Sequence, residues 1–460
     1  MQGDFTRDTH DPAKHFSRVL IQQGRVRLDA DTNEQTAILL HYLQTLAADL
    51  IGPYAGPLND CGFNITADLK KMPKRFKPAT GDLLIGAGHY YVDGILCEVA
   101  ADVLYSAQPD LLNAPLRDGK SSYLVYLDVW ERLVTAVEDP ALREIALGGA
   151  DTAARAQVMQ QVRLVDIADL KPPLLPLTPE TLYKGWNEIV LKWQPAHRGL
   201  LAAHAREVED SALDQPCVIA PSARYRGAEN QLYRVEIHRG SGPATFKWSR
   251  DNAAVVAPIL TLAGPLVTLA SWPPDLRLGL EIDDWVEVVD SDLPRLAVPA
   301  DNPDLFQVRE IDPVGQTVTL SGTPTRGGDA AKHPALRRWD QPGAAADGGA
   351  IPLTEDPWLD LEDGIQIRFA PATGTDPAPQ YRAGDYWLIP ARTATGDVDW
   401  PGAPAKPTPL PPHGVTHHYA PLALIAADNS VIDCRAMFKP GWAWGLTPPP
   451  PPPLPAVTSG

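Results

Sequence analysis

The sequence predicts a mainly β, multidomain fold made of small barrels or sandwiches, with one prominent N-terminal amphipathic helix. Three observations carry this. Short alternating apolar runs recur after residue 56, each bounded by Gly, Asp or Pro, which is the pattern of strands joined by turns. Proline is abundant, at 48 of 460 residues, and it is excluded from helix interiors and central strands. Only one long segment, near residues 33–50, repeats its apolar residues with helical period.

That helix is expected over about Asn33–Leu50. Asp31 and Thr32 occupy N-cap positions, and Glu34 and Gln35 follow each by three residues, the spacing of a capping box. Leu39, Tyr42, Leu43, Leu46, Ala47 and Leu50 make one apolar stripe, and Gly52 with Pro53 ends it. The stripe packs either on its own domain or on copies of itself. Before it, Val19, Ile21, Val26 and Leu28 suggest a strand–turn–strand bending at Gln23-Gly24.

Residues 56–220 read as a β-rich domain with short helices. Tyr90, Val92, Ile95 and Cys97 around Asp93-Gly94 make a hairpin. Tyr123–Trp130 is a strand apolar on both faces. Leu142–Leu147 and Thr152–Gln160 suggest short helical pieces, Val162–Ile167 a strand, and residues 168–190 a proline-rich connector. Residues 221–325 form a barrel or sandwich: Leu232–Ile237, Thr245–Trp248, Trp285–Val289, Phe306–Ile311 and Thr317–Leu320 are its strands, the third and fourth pairing. Residues 326–352 read as a linker or insertion, 353–447 as a last β segment with strands Ile365–Phe369 and Asp385–Ile389. Residues 448–460 are a proline-rich tail of polyproline II character.

Composition narrows function. The net charge of −17 and a pI near 5.0 argue against nucleic acid, whose phosphates need a basic surface, and against an anionic membrane face. No membrane span is expected, and the polar first ten residues hold no signal-peptide core, so synthesis in the cytoplasm is expected. Cys61, Cys97, Cys217 and Cys434 are widely spaced and read as free thiols, a Cys61–Cys97 bond being the alternative.

Candidate chemistry is sparse. Asp29, Asp31 and Asn33 open like a calcium loop but lack its glycine and closing glutamate, so capping is the reading. His413, His417 and His418 cluster without enough ligands in register for a metal. The acidic pairs Glu138-Asp139, Asp283-Asp284 and Glu362-Asp363 have the residue types a glycosidase needs, but beside turns they read as turn formers. No nucleophile elbow, P-loop or dinucleotide motif is present, and no catalytic residue, metal or cofactor is expected.

Four stretches in order, MQGDFTRDTHDPAKHFSRVLIQQGRVRLDADTNEQ, YLVYLDVWERLVTAVEDPALREIALGGADTAARAQ, ENQLYRVEIHRGSGPATFKWSRDN and GDYWLIPARTATGDVDWP with PPHGVTHHYAPLALI, resemble an uncharacterised bacterial domain family across nearly the whole chain. Members often carry a C-terminal module such as a β-helix, a place taken here by the proline-rich tail. The opening also resembles the attachment region of phage tail-fibre and baseplate proteins, with Phe16, Val19, Leu20, Gly24, Arg25, Asn33 and Glu34 fitting the pattern. Together the resemblances imply a non-enzymatic structural subunit of a phage tail or phage-tail-like contractile injection particle. They imply partners among other tail or baseplate proteins and copies of this chain, a trimer favoured. Phe16, Val19, Leu20, Leu39, Leu43, Leu46 and Leu50 are the candidate oligomer or attachment surface. A polysaccharide-binding or polysaccharide-degrading tail protein is the alternative.

Overall fold

The computed structural model describes residues 1–171, 174, 176–195, 197–206, 224–272, 279–296, 302–342, 348–371 and 378–439. Cys217 and the proline-rich tail lie outside them. The fold is mainly β, and the described residues hold two α-helices, α1 (Asp29–Ile51) and α2 (Pro179–Trp193). Neither helix is long and apolar enough to cross a membrane. The chain divides into two compact units: Met1–Leu40 with Trp130–Met159 and Val190–His417, and His41–Val129 with Gln160–Ile189 and His418–Gly460.

The first unit contains both a sandwich and a barrel. Its five-stranded sheet runs Ile351–Pro352, Thr245–Ser249, Gln231–Arg239, Tyr386–Arg392, Asp397–Val398. Tyr233, Val235, Ile237, Phe246, Trp248, Trp387 and Ile389 share one core with Leu201, Ala203, Ile365, Ile367 and Phe369 of a three-stranded sheet. Period-two alternation supplies these inward residues, as two packed sheets require.

A six-stranded barrel closes in the order Val256–Ala263, Leu266–Leu269, Thr317–Leu320, Leu305–Asp312, Trp285–Val289, Ala335–Trp339. The expected pairing of the segments near 285 and 306 is present, with Val286 opposite Phe306. Strand Ala335–Trp339 closes the barrel. Arg337 sits opposite Val256 on one side and Glu287 on the other. It lies inside the stretch read as a linker, which is corrected accordingly: its five strand residues are masked in sequence by Gly- and Ala-rich flanks.

The second unit packs a four-stranded sheet, Met437–Phe438, Tyr54–Pro57, Gly88–Val92, Ile95–Val99, around the predicted hairpin, with Val92 opposite Ile95. Its core joins Tyr90, Val92 and Cys97 to Val125, Leu127 and Val129 of strand Tyr123–Val134, and to Ala420, Leu422 and Ile425 of strand His418–Ile425. Cys61, Cys97 and Cys434 are free thiols, and burial pushes Cys97 up to about 12.

Three local expectations fail. Thr152–Gln160 is not helical, because strand Arg155–Asp166 runs through it. Ala, Arg and Gln favour helix on propensity, but sheet pairing overrides so weak a preference. The connector 168–190 ends in helix α2, whose Leu182, Trp186 and Ile189 are buried at helical spacing. Thr178 caps it, accepting from the Thr181 amide, and Pro179 occupies the first turn. That Thr-Pro-Glu signal was readable in the sequence. Residues 19–28 pair in no strand, and of the predicted motif only the turn at Gln23-Gly24 forms.

Helix α1 begins at Asp29, four residues before the expected start, so Asp31 and Thr32 lie within it. Gly94 fixes how the hairpin meets α1. It has φ +78°, and a Cβ there would stand 2.3 Å from the Gln44 carbonyl oxygen. Gly94→Ala should therefore lower stability by about 2 kcal/mol or more, read as a loss of Tm, since left-handed strain and a backbone clash add. An unchanged Tm would show that the helix yields freely at this point.

Candidate functional site

Helix α1 carries a run of exposed apolar side chains, and the N-terminal arm carries others. Leu39, Leu43, Leu46 and Leu50 follow each other at four, three and four residues, which places them on one helix face. They are exposed, Leu43 by 63% and Leu50 by 75%, and Leu40 and Tyr42 beside them are exposed too. Of the helix residues only Ala30 and Ile38 are buried. Burying a fully exposed leucine is worth about 1.5–3 kcal/mol, and these keep half to three-quarters of their surface open, so covering the row would favour association.

The arm is tied to the start of α1 by polar contacts. Thr6 donates its amide and hydroxyl to the Asp29 carboxylate, Thr9 donates to Glu34 at 2.6 Å, and the Val19 amide donates to Gln35 Oε1 at 2.9 Å. Glu34 and Gln35 therefore clasp the arm instead of capping the helix. Asp29 is engaged the same way, its carboxyl held below the usual range by Thr6 although burial opposes this, so the calcium-loop pattern is a helix start. Phe16 and Leu20 are 54% and 70% exposed, and Val19 is half-buried. The structure thus leaves all seven candidate residues at least partly accessible.

A second cluster, invisible to sequence reasoning, lies inside the first unit. Lys247 is wholly buried and reaches Glu287 at 2.5 Å and Glu236 at 3.4 Å, with its ammonium 4.1 Å from the centre of the Trp339 ring. Arg234 pairs with Glu236 at 2.6 Å and stacks 3.5 Å from the Tyr386 ring, and Arg337 reaches Glu287 at 3.4 Å. Gln2 and Asn302 donate to the Glu236 oxygens. Burial alone would raise the Glu236 carboxyl, but Arg234 and Lys247 outweigh it and hold it down to about 2. Both carboxylates are saturated and closed to solvent, so this network joins sheet to barrel and presents nothing to a substrate.

The other sequence candidates are placed as follows. Asp283 and Asp363 occupy left-handed turn positions. Asp284 accepts from the Glu281 amide and Asp139 from the Ala141 amide, both turn contacts. Glu138 pairs with Arg132, and Glu362 meets Arg250 at 2.9 Å and the Tyr233 hydroxyl at 3.0 Å. His413 packs by Tyr386, His417 stacks on Trp130, and His418 contacts Asp93 at 2.8 Å. Among the described residues no group of three or more His, Cys, Asp or Glu side chains is arranged to hold a metal.

A family described as a family of unknown function, DUF6519, matches residues 1–177 and 192–446. The chain belongs to that family. No curated protein and no solved structure matches it.

His238 supplies a pH test of the interior. Burial first, then the charges of Lys247 and Arg239, lower it from 6.5 to about 3, and its Nδ1 has no hydrogen-bond partner among the described residues. Between those values the unfolded chain binds the extra proton, so His238 subtracts stability as pH falls below 6.5. From pH 7 to 5 that contribution is about 2 kcal/mol. Urea melts of His238→Gln should show that much less acid loss than the parent. Parallel pH profiles for the two proteins would refute it.

Proposed function

We propose that this chain is a non-enzymatic structural subunit of a phage tail or phage-tail-like contractile injection particle, serving in a baseplate, spike or fibre-attachment position. The observation that carries the reading is the exposed leucine row of α1, together with the exposed apolar side chains of the arm that precedes it in sequence. Subunits of assemblies keep such surfaces for their neighbours, whereas monomers rarely leave them open. The resemblance of the arm to fibre and baseplate attachment regions gives the same direction. In this reading α1 packs on copies of itself, as a trimer by preference, and the arm docks on other tail or baseplate proteins.

Light scattering of the purified protein at micromolar concentration tests the self-association, with a mass of three chains expected. A monomer at all concentrations would remove it. Particles purified from cells expressing a tagged copy should contain the chain at a fixed ratio to the sheath. Release of reducing sugar from cell-surface glycans by the pure protein would instead support the polysaccharide-degrading reading.

A further inference from the structure

We propose that a concavity lined by Gln194, Pro195, Arg198, Arg382, Val415 and Thr416 is a binding site for a small oxyanion, a carboxylate or phosphate group on a soluble ligand. It lies wholly within the first unit and encloses about 220 Å³. That volume holds the anionic group and a few further atoms, since one water occupies about 30 Å³ of liquid.

The charge in this hollow runs against the rest of the chain. The protein carries −17 overall, yet two arginines line one small space here. Arg198 is neutralised, its Nη1 standing 2.8 Å from Asp385 Oδ1. Arg382 is half-buried and makes no salt bridge or side-chain hydrogen bond to a described residue. Asp385 attracts both arginines but stands in contact with Arg198 alone, so two positive charges share one carboxylate, and the second is on a side chain whose planar fork suits two oxygens of one anion. In a chain so rich in carboxylates, a partly buried arginine left unpaired is costly unless something else meets it.

The surroundings are built around the same pair. Asp385 is 3% exposed, and its Oδ2 is buried without a hydrogen-bond partner among the described residues. Gly414 stands directly over the ion pair: a Cβ there would come within 2.3 Å of Asp385 Oδ1 and 2.9 Å of Arg198 Nη1. Any larger residue would displace the carboxylate that holds Arg198 in position. The Gln194 amide donates to the His417 carbonyl and so ties two sides of the hollow together. Thr416 is exposed and lines the hollow, and its hydroxyl is of a kind that donates to an anion. Arg382 and Thr416 are assigned the direct contacts, and Arg198 with Asp385 the positioning of the wall.

Isothermal titration calorimetry of the whole chain with inorganic phosphate, and separately with acetate, at ionic strength balanced by chloride, tests the site. Saturable binding of at least one anion is expected, phosphate alone marking a phosphate-bearing ligand and acetate alone a carboxylate. Arg382→Gln should weaken that binding at least tenfold, and Arg382→Lys should restore part of it by returning the charge without the fork. Circular dichroism should show both variants folded, because Arg382 makes no salt bridge or side-chain hydrogen bond to a described residue. Absence of saturable binding for both anions, or equal binding by the parent and Arg382→Gln, would overturn the proposal.

Discussion

Lys247→Met is expected to destabilise the first unit by about 3–5 kcal/mol, the usual cost of breaking a buried ion pair from one side. Methionine preserves much of the hydrocarbon stem and its place against Trp339, so the loss isolates the ammonium. Without Nζ, Glu287 keeps Arg337 at 3.4 Å and Glu236 keeps Arg234, but each carboxylate has one oxygen facing a protein interior with no counter-charge. Domains are stable by only about 5–15 kcal/mol, so the variant should unfold at markedly lower denaturant. The double change Lys247→Met with Glu287→Gln should recover part of the loss, because it removes charge from both ends of the 2.5 Å contact. Because both partners are buried, added salt should rescue little. A loss under 1 kcal/mol for the single variant, or the same loss with and without Glu287→Gln, would show that the network contributes no specific pairing.

This network also shows where sequence reasoning stops. The run Leu232–Ile237 alternates cleanly, and alternation ordinarily means one buried and one wet face. The apolar face was legible and does fill the sandwich core. The polar face is buried as well, with Arg234, Glu236 and His238 all below a tenth exposed, because the barrel's Glu287 and Arg337 and the neighbouring Lys247 meet it. Nothing in one sequence pairs Lys247 with Glu287 across forty residues. Signals confined to a few neighbours survived: Asp93-Gly94 made its hairpin, and the strands near 285 and 306 paired. Weak propensities did not, as the strand through 155–166 shows, and a five-residue barrel strand between Gly-rich flanks offered too short a pattern to stand out. The seven candidate surface residues were legible as an apolar pattern. Their exposure was not, since the same stripe serves a helix packed on its own domain and one left open.

Leu43→Glu with Leu46→Glu should abolish self-association while leaving the folded body intact. Both leucines are more than half exposed in the single chain, so charging them removes little that the isolated fold uses. Surface changes of this kind shift stability by only about 0.5 kcal/mol, and glutamate is a good helix former. In a threefold contact along α1 the cost is of another size. Six carboxylates would be brought together in a closed apolar seam, where burying even one unpaired charge costs several kcal/mol. The expected result is a monomer by light scattering at concentrations where the proposed trimer of the parent is measured, with circular dichroism and Tm within about two degrees of the parent. The same variant should no longer enter purified particles. Two outcomes would count against the proposal. A cooperative loss of Tm would place the leucine row in the interior of its own chain, and an unchanged oligomer would place the contact elsewhere. Phe16→Asp and Leu20→Asp on the arm make the separating control: the arm reading requires them to block docking on the particle while the trimer persists.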